Sequence, residues 1–199
     1  ETVNILESGI PEDCSLLISA GPTVAFTDAE KTAVRNYLAN KGCLFLMVPP
    51  GIESNLDEVL KDYGLGFGNN YVYETSSKLT TEMYGPISPL CSAKDSSDIT
   101  EKLPNQNFIF PYVRTVDTLF YPKEIKSIKL LTTSENSWAE TDIKSAKAVN
   151  TNQRPTRDEK ELKGPLTVAI VTEREFMLPD SLRSRNVESE FIRSAFFGN

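Results

Sequence analysis

The 199-residue chain has no histidine, and this absence closes off more chemistry than any motif opens. A serine or cysteine nucleophile loses its usual base, and zinc sites that use imidazole are excluded. Cysteine is scarce too: there are three, Cys14, Cys43 and Cys91, and none sits in a Cys-x-x-Cys pair. An odd count argues against a disulfide framework, although a Cys14–Cys91 bridge is conceivable. Cys43 opens the apolar run 43–48 and reads as a small buried hydrophobe. Positive charge is short, with 21 Lys and Arg against 28 Asp and Glu and a net charge of −7. Nucleic-acid binding needs a basic face and an anionic membrane surface repels an acidic one, so no nucleic-acid partner is expected. No window approaches the roughly 18 apolar residues of a membrane span. Without a Walker A loop the chain is not an ATPase.

What is present is the composition of an ordinary globular protein, 39% hydrophobic and 25% charged, in a length that one core can fill. Residues 3–6 are β-prone. Residues 15–20 form an apolar run short enough for a buried strand, ended by Gly21-Pro22. Thr27-Asp28-Ala29-Glu30 has the form of a capping box. Ala29, Ala33 and Tyr37, with Val34 and Leu38 beside them, give the apolar stripe of a helix. Gly42 is placed to close that helix in the left-handed conformation. Residues 43–48 predict a second strand. Leu56, Val59, Leu60 and Tyr63 predict a second helix, with Ser54 or Asn55 as N-cap and Gly64 as C-cap. Residues 65–73 lead into a further strand. This alternation predicts a parallel sheet with right-handed crossovers. Residues 108–113, 125–132, 166–171 and 191–197 predict further strands. The polar segments 74–107 and 133–163 read as insertions or long connections decorating the sheet. The expectation is one α/β domain over 1–199, three-layered, with a mainly parallel sheet and helices on both faces.

The order of landmarks resembles the ABC-type transport auxiliary family of gliding-motility type. Residues 10–22 (IPEDCSLLISAGP) are similar to its opening strand and turn, 27–38 to its first helix, 41–46 to its second strand, and 60–65 (LKDYGL) to its second helix end. Gly85-Pro86-Ile87-Ser88, Arg114, Ser137-Trp138-Ala139-Glu140 and Gly164-Pro165-Leu166 resemble later segments, and 193–199 the start of its closing strand. Two positions depart from the family: Val48-Pro49-Pro50 replaces an Asp-Pro, and Gly85 replaces a His. The resemblance implies a flavodoxin-like fold akin to class I glutamine amidotransferases, and a related domain occurs in an intraflagellar-transport subunit. It implies a non-catalytic, extracytoplasmic binding or assembly module, without cofactor. Its partners would be ABC transporter permease and ATPase subunits or other membrane-complex proteins. The ending Phe196-Phe197-Gly198-Asn199, an apolar strand stopping in a turn, reads as the edge of a soluble piece cut from a longer, membrane-anchored protein.

Candidate site residues follow from strand ends, where open α/β sheets bind ligands. Gly21, Pro22 and Thr23 lie between the first strand and a helix N-terminus. Arg114 follows an aromatic-rich strand, either as a buried ion-pair partner or as a ligand clamp. Glu173 follows the apolar run 166–171. Two other functions compete: a small-molecule site, for a sugar for example, in the strand-end cleft, and a carboxylate- or metal-dependent hydrolase using Glu173 with Asp117 or Asp180. Trp138 is either a loop anchor or part of a contact surface.

Overall fold

The computed structural model describes residues 1–76, 80–81, 85–93, 98–101, 106–142, 155–183 and 187–199. Parts of both long segments, 74–107 and 133–163, therefore lie outside the described residues.

The N-terminal third follows the sequence pattern, apart from its first residues. Residues 3–6 are not a strand; Asn4 caps a one-turn helix, α1 (Ile5–Ser8). Strand β1 (Leu17–Ala20) is followed by helix α2 (Asp28–Ala39), strand β2 (Leu44–Met47), helix α3 (Asp57–Asp62) and strand β3 (Leu65–Phe67). The capping box forms: the Glu30 N–H donates to Thr27 Oγ1 at 3.3 Å, and Glu30 Oε2 accepts from the Thr27 N–H at 2.8 Å. Val34 and Leu38 are the buried face of α2, as the four-residue spacing requires. Two details of the caps differ. The left-handed residue closing α2 is Lys41, with φ of 65°. Gly42 is required for another reason: a Cβ there would stand 2.4 Å from the Tyr37 ring, whose hydroxyl donates to the Cys14 and Cys43 carbonyls. The α3 N-cap is Leu56, with no side-chain cap, although Ser54 Oγ accepts from the Leu56 N–H.

Among the described residues the remaining elements are strands but for a 3-10 turn at Asp180–Leu182: β4 (Tyr71–Glu74), β5 (Thr80–Thr81), β6 (Gly85–Ala93), β7 (Asn107–Ile109), β8 (Val116–Thr118), β9 (Ile125–Thr132), β10 (Ser137–Glu140), β11 (Thr167–Met177) and β12 (Ser189–Phe197). Their pairing corrects the expected flavodoxin-like, amidotransferase-like architecture. The main sheet has eight strands in the order β1-β2-β12-β11-β9-β6-β5, with β7 also pairing β6. Among the described strands only β1–β2 and β2–β12 are parallel. β12 pairs β11 antiparallel over nine register positions. β11 then pairs β9, and β9 pairs β6, antiparallel again. The sheet is mixed and the molecule mostly β. The physical reason lies in β11, which does not stop at Val171. Glu173, Arg174 and Glu175 continue it as a half-solvated strand, in which alternate polar positions face water. β6 lies inside 74–107 and β10 inside 133–163, so both polar segments contribute strands; β10 pairs β4.

Two cores sit on opposite faces. Residues opposite each other in a ladder share a face. Ile170, Phe196, Leu46 and Leu44 face α2 and α3, with Val34, Leu38, Val59, Leu60 and Tyr63 above them. Ala169, Val171 and Phe197 face the other way, toward Val72, Cys91, Val113, Leu130 and Ala139. Among the described residues that second face is covered by strands and loop rather than by helices, contrary to the expected three layers.

Candidate functional site

Gly21 closes β1 with φ of 64° and donates its N–H to the Met47 carbonyl at 3.0 Å. A residue with a Cβ is disfavoured at that angle. Gly21 and Thr23 are exposed and Pro22 half-buried. Arg114 lies at the same end of the sheet, since its N–H donates to the Gly198 carbonyl just beyond β12. It is only 8% exposed. Its Nε donates to the Gly68 carbonyl at 2.7 Å, and Nη1 to those of Ile52 and Pro49 at 3.1 and 3.3 Å. The guanidinium stacks 5.3 Å from the Phe67 ring. Burial pushes its pKa below the ordinary value, and Asp57, Tyr71 and Asp117 pull it back; an arginine stays charged regardless. Arg114 forms no ion pair among the described residues. It fastens the loop after β2, the β3–β4 connection and the C-terminal turn by their carbonyls.

Glu173 belongs elsewhere. It is inside β11, four register positions from the Ala169–Phe197 pair, roughly 13 Å along the strand. It stands opposite Arg193 on β12 and Lys126 on β9. Arg193 Nη2 reaches Glu173 Oε1 at 2.8 Å, Lys126 Nζ reaches Oε2 at 3.6 Å, and Arg193 Nη1 continues to Asp98 at 2.7 Å. The strand-end reading of Glu173 is thus corrected to a cross-strand ion ladder. Asp117, on β8, accepts from Thr115 Oγ1 at 3.0 Å, and burial raises its pKa. Asp180 is exposed and pairs with Arg183. The fold does not gather Glu173, Asp117 and Asp180, and among the described residues no group of three His, Cys, Asp or Glu is placed to hold a metal. All three cysteines are free. Cys91 is buried on β6, and burial raises its thiol pKa to about 12, so no thiolate nucleophile is available there.

Sequence reasoning missed the buried carboxylates. Glu74, Glu140 and Glu161 are each at most 6% exposed. Glu74 accepts from the Ser76 N–H at 2.8 Å and from Ser134 Oγ at 2.6 Å. Glu140 accepts from the Asp142 N–H at 2.8 Å and from Trp138 Nε1 at 3.2 Å. Glu161 accepts from the Thr141 and Asp158 N–H groups at 2.8 and 3.0 Å. Burial pushes the Glu140 pKa up, and the neighbouring Glu161 carboxyl adds to that, since two carboxylates close together disfavour ionisation. The set ties the β4–β10 ribbon to the segments flanking it. Trp138 is part of this ribbon, 5% exposed and 4.5 Å from the Tyr73 ring, which is an anchor's position. The only sequence signal was a glutamate directly after Ser137-Trp138-Ala139.

One concave surface lies along β1. This strand ends the sheet, and a groove of about 780 Å³ runs beside it. Its walls include Val3, Ile5, Leu17, Ile18, Phe26 and Glu30. Ile18 is 61% exposed. Of the sequence-nominated residues, none lines this groove.

Comparison with known proteins agrees with the landmark order. A model of the family described as ABC-type uncharacterized transport system matches residues 1–190. No curated protein matches the chain significantly. A solved structure, the mmIFT52 N-terminal domain, has a similar fold, with a TM-score of 0.57 and 18% identity. The match covers 93% of this chain and 65% of that one.

Proposed function

Because the chain belongs to the ABC-type uncharacterized transport system family, an auxiliary family of such transporters, we propose that it is a non-catalytic binding or assembly module, of gliding-motility type, within a transport complex. The observation that carries this reading is the open groove beside β1, which among the described residues offers apolar side chains and a strand edge that no described strand pairs, instead of convergent catalytic groups. The absence of histidine and the structural employment of Arg114 and Glu173 support it. In this reading the domain sits on the extracytoplasmic side, in a longer membrane-anchored protein, and contacts permease or ATPase subunits. No described helix is long and apolar enough to cross a membrane, so an anchor would lie outside the described residues.

The test is affinity purification of the protein from its own detergent-solubilised membranes. Recovery of a permease or an ATPase subunit in stoichiometric amount is expected; recovery of neither contradicts the proposal. Thermal melts with divalent metals and a sugar panel separate the alternatives, since a specific ligand at 100 times its Kd adds about 2.7 kcal/mol. No shift is expected with either.

A further inference from the structure

The geometry points to a binding site on the helical face of the main sheet, a pocket around Arg174 that takes the carboxylate of a small organic monoanion. It stands independently of the transport reading.

Ladder parity sets the position. Arg174 stands opposite Ile192 of β12, and Ile170 and Thr172 precede it on the same face of β11. That face is the one covered by α2 and α3. The guanidinium lies between two rings, Phe176 at 5.2 Å and Tyr63 at 6.0 Å. Tyr63 is itself fixed, being 2% exposed and packed on Phe196. Ring faces hold a guanidinium without occupying its N–H donors. The other described arginines spend their donors on acceptors: Arg35, Arg183 and Arg193 on carboxylates, Arg114 and Arg157 on backbone carbonyls. Among the described residues Arg174 has neither kind of partner. It is half-buried, held in place and ready to donate.

The surroundings define the acceptor. Arg174 lines a pocket of about 460 Å³, together with Arg35, Asn36 and Ala39 of α2 and with Asp62 and Tyr63 at the end of α3. That volume falls within the range of small-molecule sites, roughly 300–1,000 Å³. Arg35 is already engaged, donating to both Asp62 oxygens at 2.8 and 3.1 Å. The charged lining residues are thus two arginines and one aspartate, a local excess of one positive charge in a chain of net charge −7. A monoanion neutralises that excess, whereas a dianion exceeds it and meets Asp62. The guanidinium fork matches a planar carboxylate through two parallel hydrogen bonds. Leu38, Ala39 and Tyr63 line the same pocket and offer apolar surface to a short carbon chain.

Proton–nitrogen spectra of the nitrogen-15-labelled protein test this by following the arginine Nε–H signals while sodium butyrate, acetate or phosphate replaces sodium chloride at constant ionic strength. Butyrate should move the Arg174 signal saturably, with half-saturation on the order of 1 mM. Acetate should bind more weakly, because it leaves the apolar wall uncovered, and phosphate more weakly still. The Arg114 signal, bonded to three carbonyls, should stay in place. Arg174→Gln should weaken butyrate binding by about 10-fold or more, read from the Asn36 side-chain amide. Ala39→Glu, at an exposed position of the same pocket, should weaken it by a similar factor through like charge. That second variant leaves Arg174 and its ring contacts intact, so the result does not depend on whether Arg174→Gln folds. A response that does not saturate, or that is the same in chloride as in butyrate, overturns the inference. So does phosphate binding tighter than butyrate, or wild-type affinity in either variant. Any of these outcomes leaves the proposed transport role standing, since that role is read from co-purification.

Discussion

The corner built from β1, β2, β12, α2 and α3 and the body built from β4, β6, β9, β10 and β11 bury their polar groups by different means. In the corner the interior is apolar: Leu44, Leu46, Val48, Val59, Leu60 and Phe196 are at most 2% exposed. Charges stay outside, as in the Arg35–Asp62 pair, and Arg114 at the rim is satisfied by three carbonyls. In the body, carboxylates and hydroxyls go inside. Glu74, Glu140, Thr133 and Ser137 are each at most 4% exposed, each held by hydrogen bonds that prevent the cost of an unpaired buried group. The corner is stabilised mainly by area removed from water, the body by area plus a connected polar network. At β1 the corner ends the sheet, with the groove beside it.

This contrast can be broken by mutation, and the largest effect should come from its hinge. Phe196 is fully buried, packs against Tyr63 at 5.3 Å and sits on the strand shared by the two regions. Phe196→Ala should cost about 3–5 kcal/mol in denaturant unfolding, whereas Ile18→Ala on the exposed edge should stay within about 0.5 kcal/mol. Arg114→Met comes next. It keeps much of the stem and abandons three carbonyls, and should cost about 2–3 kcal/mol. Lysine at 114 should recover only part of this, because an ammonium cannot reproduce the fork. Thr27→Ala removes one half of a capping box at the solvent-facing start of α2 and should cost about 1 kcal/mol. A loss confined to α2 protection in hydrogen exchange would place the effect there.

The smallest effect at neutral pH belongs to the body. Glu140 is raised above the ordinary glutamate pKa by burial and by Glu161. Its contribution to stability is therefore fully present below about pH 4.3 and is lost as pH rises through the raised native value. Glu140→Gln carries no carboxyl to titrate there, so the melting temperature of the variant relative to wild type should climb between pH 4 and pH 8. A constant difference across that range would contradict a raised pKa at Glu140.

The two regions also differ in how much of them the sequence discloses. The corner is written in short-range signals: an apolar run, a capping box, i, i+3, i+4 spacing and a glycine stop, each complete within about fifteen residues. The helices and the first two strands could be read from these. The body is written in long-range pairings. Glu173 looks like a loop residue until Arg193 and Lys126 are opposite it in the ladder. Glu140 looks like any surface glutamate until the fold buries it close to Glu161, far along the chain. Extending the corner's parallel rule to the whole chain gives the mistaken mainly parallel sheet, because the direction of β11 relative to β12 has no local signature. The site suffered likewise. Gly21, Pro22 and Thr23 do sit at a strand end and Arg114 is at the same end, but Glu173 belongs to the middle of the β11–β12 ladder. The groove beside β1 escaped notice, since an apolar run does not say whether its strand is central or outermost.

The claim on which the rest depends is that β12 joins a parallel corner to an antiparallel body. Cross-strand nuclear Overhauser effects in a labelled sample test it directly. Antiparallel non-hydrogen-bonded pairs bring Cα atoms to about 4.5 Å, so strong Hα–Hα contacts should link alternate β11–β12 partners along 169–177 and 189–197. Parallel pairing with β2 should give none between Ala195 and Phe45 or between Phe197 and Met47. Hα–Hα contacts missing on the β11 side, with β12 flanked by parallel neighbours on both sides, would contradict the mixed sheet and restore the doubly wound architecture in its place.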